Sequence, residues 1–303
     1  MPPSHNFPRI ICIALASHSE LEQPHRMEIA TLLPHIRSHP LSFWASSCTM
    51  AAVVESLQLI LLAIAVRWGD ALHRGIPVQQ QNYGYVMQIY GPQFLAAGSL
   101  FSARYVLTVA HCFKKNTKPE ELSVRAGYRW IAWEFRGKPV AGLLRHPKFS
   151  PLSLRNDIAV LRVKAAVSHS HKINYIGLCS RPLTPLNTFA PPQELVGWNL
   201  MHITQPLKSM SVQVEPEKNC RQWFPQISGG VTCASATKGE GLCYGDSGDP
   251  LISEGEVCGL AIAFRKCGDK RYPALFTEVH YHRAFIAKAV LTLDREMLSR
   301  SRS

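Results

Sequence analysis

From residue 75 to about residue 282 the apolar positions come in short runs broken by Gly, Pro and Asn. Examples are Tyr85–Tyr90, Tyr105–Ala110, Ser123–Ala126, Ile158–Val163, Glu194–Val196, Ser211–Val214, Val257–Phe264 and Ala274–Val279. Short strands at regular spacing with turn residues between them predict an all-β sandwich or barrel. The pattern changes at Arg283. From there to Leu298, Phe285, Ile286, Ala289, Val290, Leu293 and Met297 recur at helical spacing and predict an amphipathic C-terminal helix over 283–298. No repeat of solenoid period is present.

The front of the chain reads differently. Leu57–Val66 is ten mostly apolar residues, too few to span a bilayer but the right length for the apolar region of a secretory signal. Residues 50–71, opening at Met50 and closing on the small residues Gly69 and Ala71, are expected to be a signal peptide, although Glu55 and the missing basic start depart from the usual form. A signal-anchor is the alternative, and Glu55 and the short run count against it. Residues 1–49, rich in His, Pro and Ser, are expected to be an extension outside the mature protein. The mature domain is then 72–303.

Composition narrows the class. With 46% hydrophobic and 18% charged residues the chain is globular, not disordered, collagenous or membrane-embedded. The formal charge of +12 is concentrated in residues 72–303, which hold 29 Lys/Arg against 16 Asp/Glu. A basic domain attracts polyanions. No run of Lys/Arg exceeds two residues, so no nucleic-acid arm is expected.

The nine Cys include no CxxC pair and no zinc-type spacing, which favours a disulfide framework and an oxidising, extracellular location. His169-Ser170-His171 and His280-Tyr281-His282 would each share one face if they lay on strands. Neither has a Cys or carboxylate cluster beside it, so they are read as surface loops, with no metal site and no cofactor expected.

Three islands carry chemistry: Leu107-Thr-Val-Ala-His111-Cys112, Asn156-Asp157-Ile-Ala-Val-Leu161, and Cys243-Tyr-Gly245-Asp246-Ser247-Gly248-Asp249-Pro250. Each alone is a weak signal: a structural His, a strand-start Asp, an ordinary turn. In the order His, Asp, Ser they suit nucleophilic catalysis. A serine hydroxyl needs an adjacent base, an imidazole can take and return its proton, and a buried carboxylate fixes the imidazole tautomer. Gly on both sides of Ser247 permits a tight turn that aims backbone N–H groups at a developing oxyanion.

On these islands residues 72–298 resemble the trypsin/chymotrypsin-like serine proteases. Gly98-Ser99-Leu100, Val196-Gly197-Trp198 and Pro273-Ala-Leu-Phe-Thr-Glu-Val279 are weaker landmarks that agree. The resemblance implies two packed antiparallel β-barrels, roughly 75–178 and 179–282, with the active site between them. It implies His111 as general base and acid, Asp157 as its orienter, Ser247 as nucleophile, and the N–H groups of Gly245 and Ser247 as oxyanion hole. It also implies a monomer acting on a protein or peptide substrate, and disulfides Cys220–Cys233 and Cys243–Cys267. The usual partner of Cys112 is replaced by Ala96, so Cys112 is expected as a free thiol. Cys179 and Cys258 are left over and are expected to pair.

The chain departs from the family at informative positions. Gly241, followed by Leu242, stands where trypsin-like enzymes carry Asp, and Phe264 and Ala274 occupy the pocket walls, so a small or apolar primary specificity is expected. Ile262 replaces a Ser that supports the buried Asp, Ala263 an aromatic of the substrate groove, and Asp249 a Gly. The activating amine, which would pair with Asp246, falls by register at Leu72. Cleavage after Ala71 would expose it directly, although Arg74 stands where the family has a flexible Gly. A secreted serine endopeptidase is the first reading, and a weak or inactive homologue acting by binding is the second.

Overall fold

Six strands close on themselves in the first half of the domain. In the computed structural model, which describes residues 9–10, 75–131, 137–185, 193–198, 206–227, 229–238, 241–243 and 245–300, β3 (Val86–Tyr90), β4 (Phe94–Ser102), β5 (Tyr105–Thr108), β8 (Ala159–Val163), β7 (Lys138–Arg145) and β6 (Ser123–Arg125) pair in that order. β6 returns to β3 through Ile89↔Val124. A barrel of this size is filled by side chains, and Val86, Met87, Ile89, Leu100, Val106, Leu107, Val160 and Leu161 are fully buried. Gln88, the polar residue of β3, is also buried, and it is satisfied by donating to Trp130 O and accepting from the Tyr90 hydroxyl.

A second ring runs β14 (Glu256–Phe264), β13 (Pro250–Ser253), β10 (Gln193–Gly197), β11 (Lys208–Val214), β12 (Val231–Ala236) and β15 (Ala274–Glu278), with β15 closing on β14. The expected all-β, two-barrel fold with a C-terminal helix is what forms. Three two-residue strands attach to the second ring: β2 (Ile76–Pro77) on β11, β9 (Gly177–Leu178) parallel to β14, and β1 (Arg9–Ile10) along the end of β14. All described residues belong to one compact unit.

The periodicity missed β4, β7, β12, β13 and the short helix α1 (Glu217–Trp223). β4, reading FLAAGSLFS, is rich in Ala, Gly and Ser, which have little intrinsic strand preference. Closure of the barrel supplies its partners on both sides. Gly98 is required there, because a Cβ would lie 2.7 Å from Val106 Cγ1 and 2.9 Å from Leu107 O.

The C-terminal helix α2 runs Arg283–Arg300, two residues beyond the expected end. It follows the second ring in sequence but packs on the first. Leu293 fills the space over Gly142, where a Cβ would lie 2.7 Å from Leu293 Cδ2. Arg162 pairs with Asp294 at 3.0 Å, and the Tyr105 hydroxyl donates to Val290 O at 3.3 Å. The helix therefore ties the last element of the chain to the first barrel.

Disulfides join Cys220 to Cys233, Cys243 to Cys267, and Cys179 to Cys258. The shortest loop separates its cysteines by 13 positions and stabilises by about 3 kcal/mol on chain-entropy grounds. Cys112 is not a free thiol: it is disulfide-bonded, to a partner outside the described residues. The histidines of His280-Tyr281-His282 do not share a strand face. They form a tight helical turn, and the His282 Nδ1–H donates to Glu278 O at 2.7 Å.

Truncating Leu293 to Ala should cost about 2–5 kcal/mol, the range for a buried leucine leaving a cavity. Urea unfolding of the purified domain reads this directly. An unchanged midpoint would mean that the helix does not brace the first barrel.

Candidate active site

The three islands meet where strand ends face one another. His111 follows β5, Asp157 lies just ahead of β8, and Ser247 precedes β13. Asp157 Oδ2 lies 2.6 Å from His111 Nδ1, and His111 Nε2 lies 2.9 Å from Ser247 Oγ. A carboxylate accepts only, so Nδ1 carries the proton and donates. Nε2 is then the acceptor for the serine hydroxyl. This is the tautomer in which imidazole can remove a proton from Oγ.

Asp157 is wholly buried, and a buried carboxylate survives ionised only if its lone pairs are met. Oδ1 accepts from Ala110 N at 2.7 Å and His111 N at 2.9 Å, while Oδ2 takes the ring. The Asp157 carbonyl accepts from Thr277 Oγ1 at 2.8 Å, from β15 of the other barrel. Asn156 turns the chain into this position with φ of 54°, a left-handed value that Asn tolerates better than most residues. Ile262 supplies no donor to Asp157, and the two backbone amides carry that load. Sequence reasoning could not find them, because a backbone N–H leaves no trace in residue identity.

The serine loop is held from both barrels. Ser247 O accepts from Ala97 N of β4 at 2.9 Å, and Gly248 N donates to Ala261 O of β14 at 2.9 Å. Gly245 and Gly248 have φ of 97° and 78°. A Cβ on Gly248 would lie 2.2 Å from Ala97 O, so no other residue fits. The N–H groups of Gly245 and Ser247 have no acceptor among the described residues.

Leu242, Phe264 and Ala274, the residues expected to wall the specificity pocket, are buried and apolar. A Cβ added to Gly241 would touch the Asp269 backbone at 3.4 Å. The Asp269 carboxylate is taken up by Arg271, which with Lys266 holds it well below the usual carboxylate range. These wall residues thus present no free negative charge. Asp246 is buried next to the nucleophile, and its Oδ2 accepts from Cys243 N at 2.8 Å. Leu72, its expected partner, lies outside the described residues, as do Ala71 and Arg74.

Among the described residues the one cluster with metal-ligand spacing is Cys179, Glu256 and Cys258. Its two sulfurs are joined in a disulfide and are not thiolate ligands.

The side chains of both reacting candidates are buried. Ser247 has no exposed surface and the His111 side chain is 2% exposed. The backbone of β1 pairs antiparallel with the end of β14, with Arg9 opposite Phe264 and Ile10 opposite Ala263. Phe264 and Ala263 are the residues the resemblance places at the pocket wall and the substrate groove.

Comparison with known proteins agrees with this geometry. The family model described as Trypsin matches residues 73–286. Seminase of Drosophila melanogaster is 30% identical over 228 residues, spanning 72% of this chain and 80% of that protein. Trypsin II-P29 of Gallus gallus is 26% identical over 223 residues, spanning 69% and 85%. Among solved structures, neuropsin, a serine protease expressed in the limbic system of mouse brain, superposes with a TM-score of 0.62 at 22% identity, covering 72% of this chain and 99% of that one.

Proline cannot donate to a strand ladder. Ile10→Pro in the full chain should therefore raise the labelling rate of Ser247 by an extended peptidyl inhibitor several-fold, followed by intact mass. Equal rates for the variant and the parent would show that β1 does not control the edge.

Proposed function

Because the chain belongs to the trypsin family and is a serine endopeptidase, we propose that His111, Asp157 and Ser247 are its catalytic residues and that it cleaves peptide bonds after small or apolar side chains. The observation that carries this reading is the continuous relay from Asp157 Oδ2 through His111 to Ser247 Oγ, at 2.6 and 2.9 Å.

The chemistry follows from that relay. Ser247 Oγ attacks the scissile carbonyl carbon as its proton passes to His111 Nε2. The carbonyl oxygen becomes an oxyanion, received by the N–H groups of Gly245 and Ser247. Asp157 stabilises the imidazolium formed at that moment. His111 then gives the proton to the leaving amine as the C–N bond breaks, and an ester remains on Ser247. Water attacks that ester with His111 as base, which releases the acid and restores the hydroxyl.

Leu242, Phe264 and Ala274 support the specificity, since an apolar buried wall leaves a Lys or Arg ammonium without a partner. The disulfides support a secreted, extracellular protein. The excess of basic residues in 72–303 supports a polyanionic partner, and the domain is read as a monomer. Cleavage after Ala71 would place the new ammonium of Leu72 opposite Asp246. A second reading, a weak or inactive homologue that acts by binding, is favoured by one observation: Phe264 is buried in the pocket wall, where family members carry Gly.

Intact-mass analysis of protein beginning at Leu72, treated with a fluorophosphonate, separates the two readings. One adduct is expected, absent from Ser247→Ala, and Asp157→Asn should slow labelling by about ten-thousand-fold through the wrong tautomer. No adduct on folded protein would establish the second reading. Phe264→Gly should shift cleavage toward substrates with large aromatic side chains before the scissile bond. An unchanged profile in a peptide library would remove Phe264 from the pocket wall.

A further inference from the structure

The loop that carries Ser247 holds a second buried acid that the catalytic steps do not use. Asp246 precedes the serine and Asp249 follows two residues later, where the family has Gly. Both are fully buried. Three of their four carboxylate oxygens, Asp246 Oδ1 and both oxygens of Asp249, have no hydrogen-bond donor. Burial pushes both carboxyls upward, and the charge of Asp246 pushes Asp249 further.

Asp249 cannot turn away. Its N–H donates to Asp246 O at 3.1 Å and its carbonyl accepts from Ala261 N at 3.0 Å. The carboxylate lies against Gly197 at the end of β10, where a Cβ would come 1.7 Å from Oδ2 and 2.2 Å from Oδ1. Gly197 thus leaves room for this side chain and for no β-carbon of its own. The acid is built into the packing and has not strayed in from the surface.

Two unpaired carboxylates this deep are strongly unfavourable when ionised, because the desolvation cost is several kcal/mol per ion even after relaxation. Burial therefore favours their neutral forms in the absence of a cation. Among the described residues no third metal-ligating side chain joins them, which argues against a divalent ion. An ammonium group carries three N–H donors and no acceptor, and these two acids of one loop offer three donor-free oxygens.

We infer that Asp249 is a second acceptor for the α-ammonium group that enters beside Asp246, so that the two acids form one receptor for a free chain terminus. The inference rests on the reading that Leu72 supplies this ammonium. Asp249 acts as a positioning residue. By sharing the ammonium it holds Asp246, and Asp246 sits between the two residues, Gly245 and Ser247, whose N–H groups receive the oxyanion.

The test uses a soluble stand-in for the terminus. The full chain, uncut at Ala71, is titrated calorimetrically with the dipeptide amide Leu-His-NH2 and with its N-acetyl form. The free-amine dipeptide is expected to bind and the acetylated one not to. Asp249→Asn should weaken binding tenfold or more, as should Asp249→Gly. The glycine variant removes the side chain that crowds Gly197 and so guards against misfolding as the cause of the loss. Asp246→Asn marks complete loss of the site. Undiminished binding to folded Asp249→Gly, or no binding to the parent chain, would overturn the inference. Fluorophosphonate labelling of protein beginning at Leu72, measured alongside, fails separately if the catalytic reading is wrong, because dipeptide binding does not require Ser247.

Discussion

The burial of Asp157 is the constraint from which the rest follows. A carboxylate with no exposed surface must have its lone pairs met, and both barrels contact this residue. The first supplies the Ala110 and His111 amides and the imidazole; the second supplies Thr277 to the carbonyl of the same residue. Among the described residues, all hydrogen bonds to the carboxylate come from the first barrel, and the second barrel is tied to this residue through its backbone carbonyl. The Ser247 carbonyl in turn accepts from Ala97 N of the first barrel, and the 2.9 Å contact between His111 and Ser247 spans the same junction.

The other buried acids show the opposite arrangement. Asp157 is saturated with donors, whereas Asp246 keeps one oxygen unmet and Asp249 two. Both arrangements occur within one site. Saturation serves a charge that must persist through every turnover. Open valences suit a charge that waits for something to arrive. The domain therefore holds the Asp157–His111–Ser247 contacts assembled while the two acids flanking Ser247 keep open valences.

The residues expected to face the substrate are equally particular to this chain. Leu242, Phe264 and Ala274 are apolar, the carboxylate of Asp269, whose backbone lies against Gly241, is engaged by Arg271 and Lys266, and the end of β14 is paired with Arg9–Ile10.

The candidacy of His111, Asp157 and Ser247 was legible in the sequence, because they sit in local patterns of turns and strand starts, and the fold brings them together. The helix of Arg283–Leu298 and most central strands were legible for the same reason: side-chain period reports local conformation. β4 was not, since its Ala, Gly and Ser residues become strand only when neighbours close the barrel. The state of Cys112 also escaped, because the family pattern removed its usual partner and the actual pairing lies elsewhere. By itself the sequence determined the family and the order of the three islands that the fold brings together. Only the tertiary structure decided which charges are partnered. The donors to Asp157 are backbone amides without sequence identity, and Asp249 meets Gly197 from 52 positions away, across a fold that no local pattern encodes.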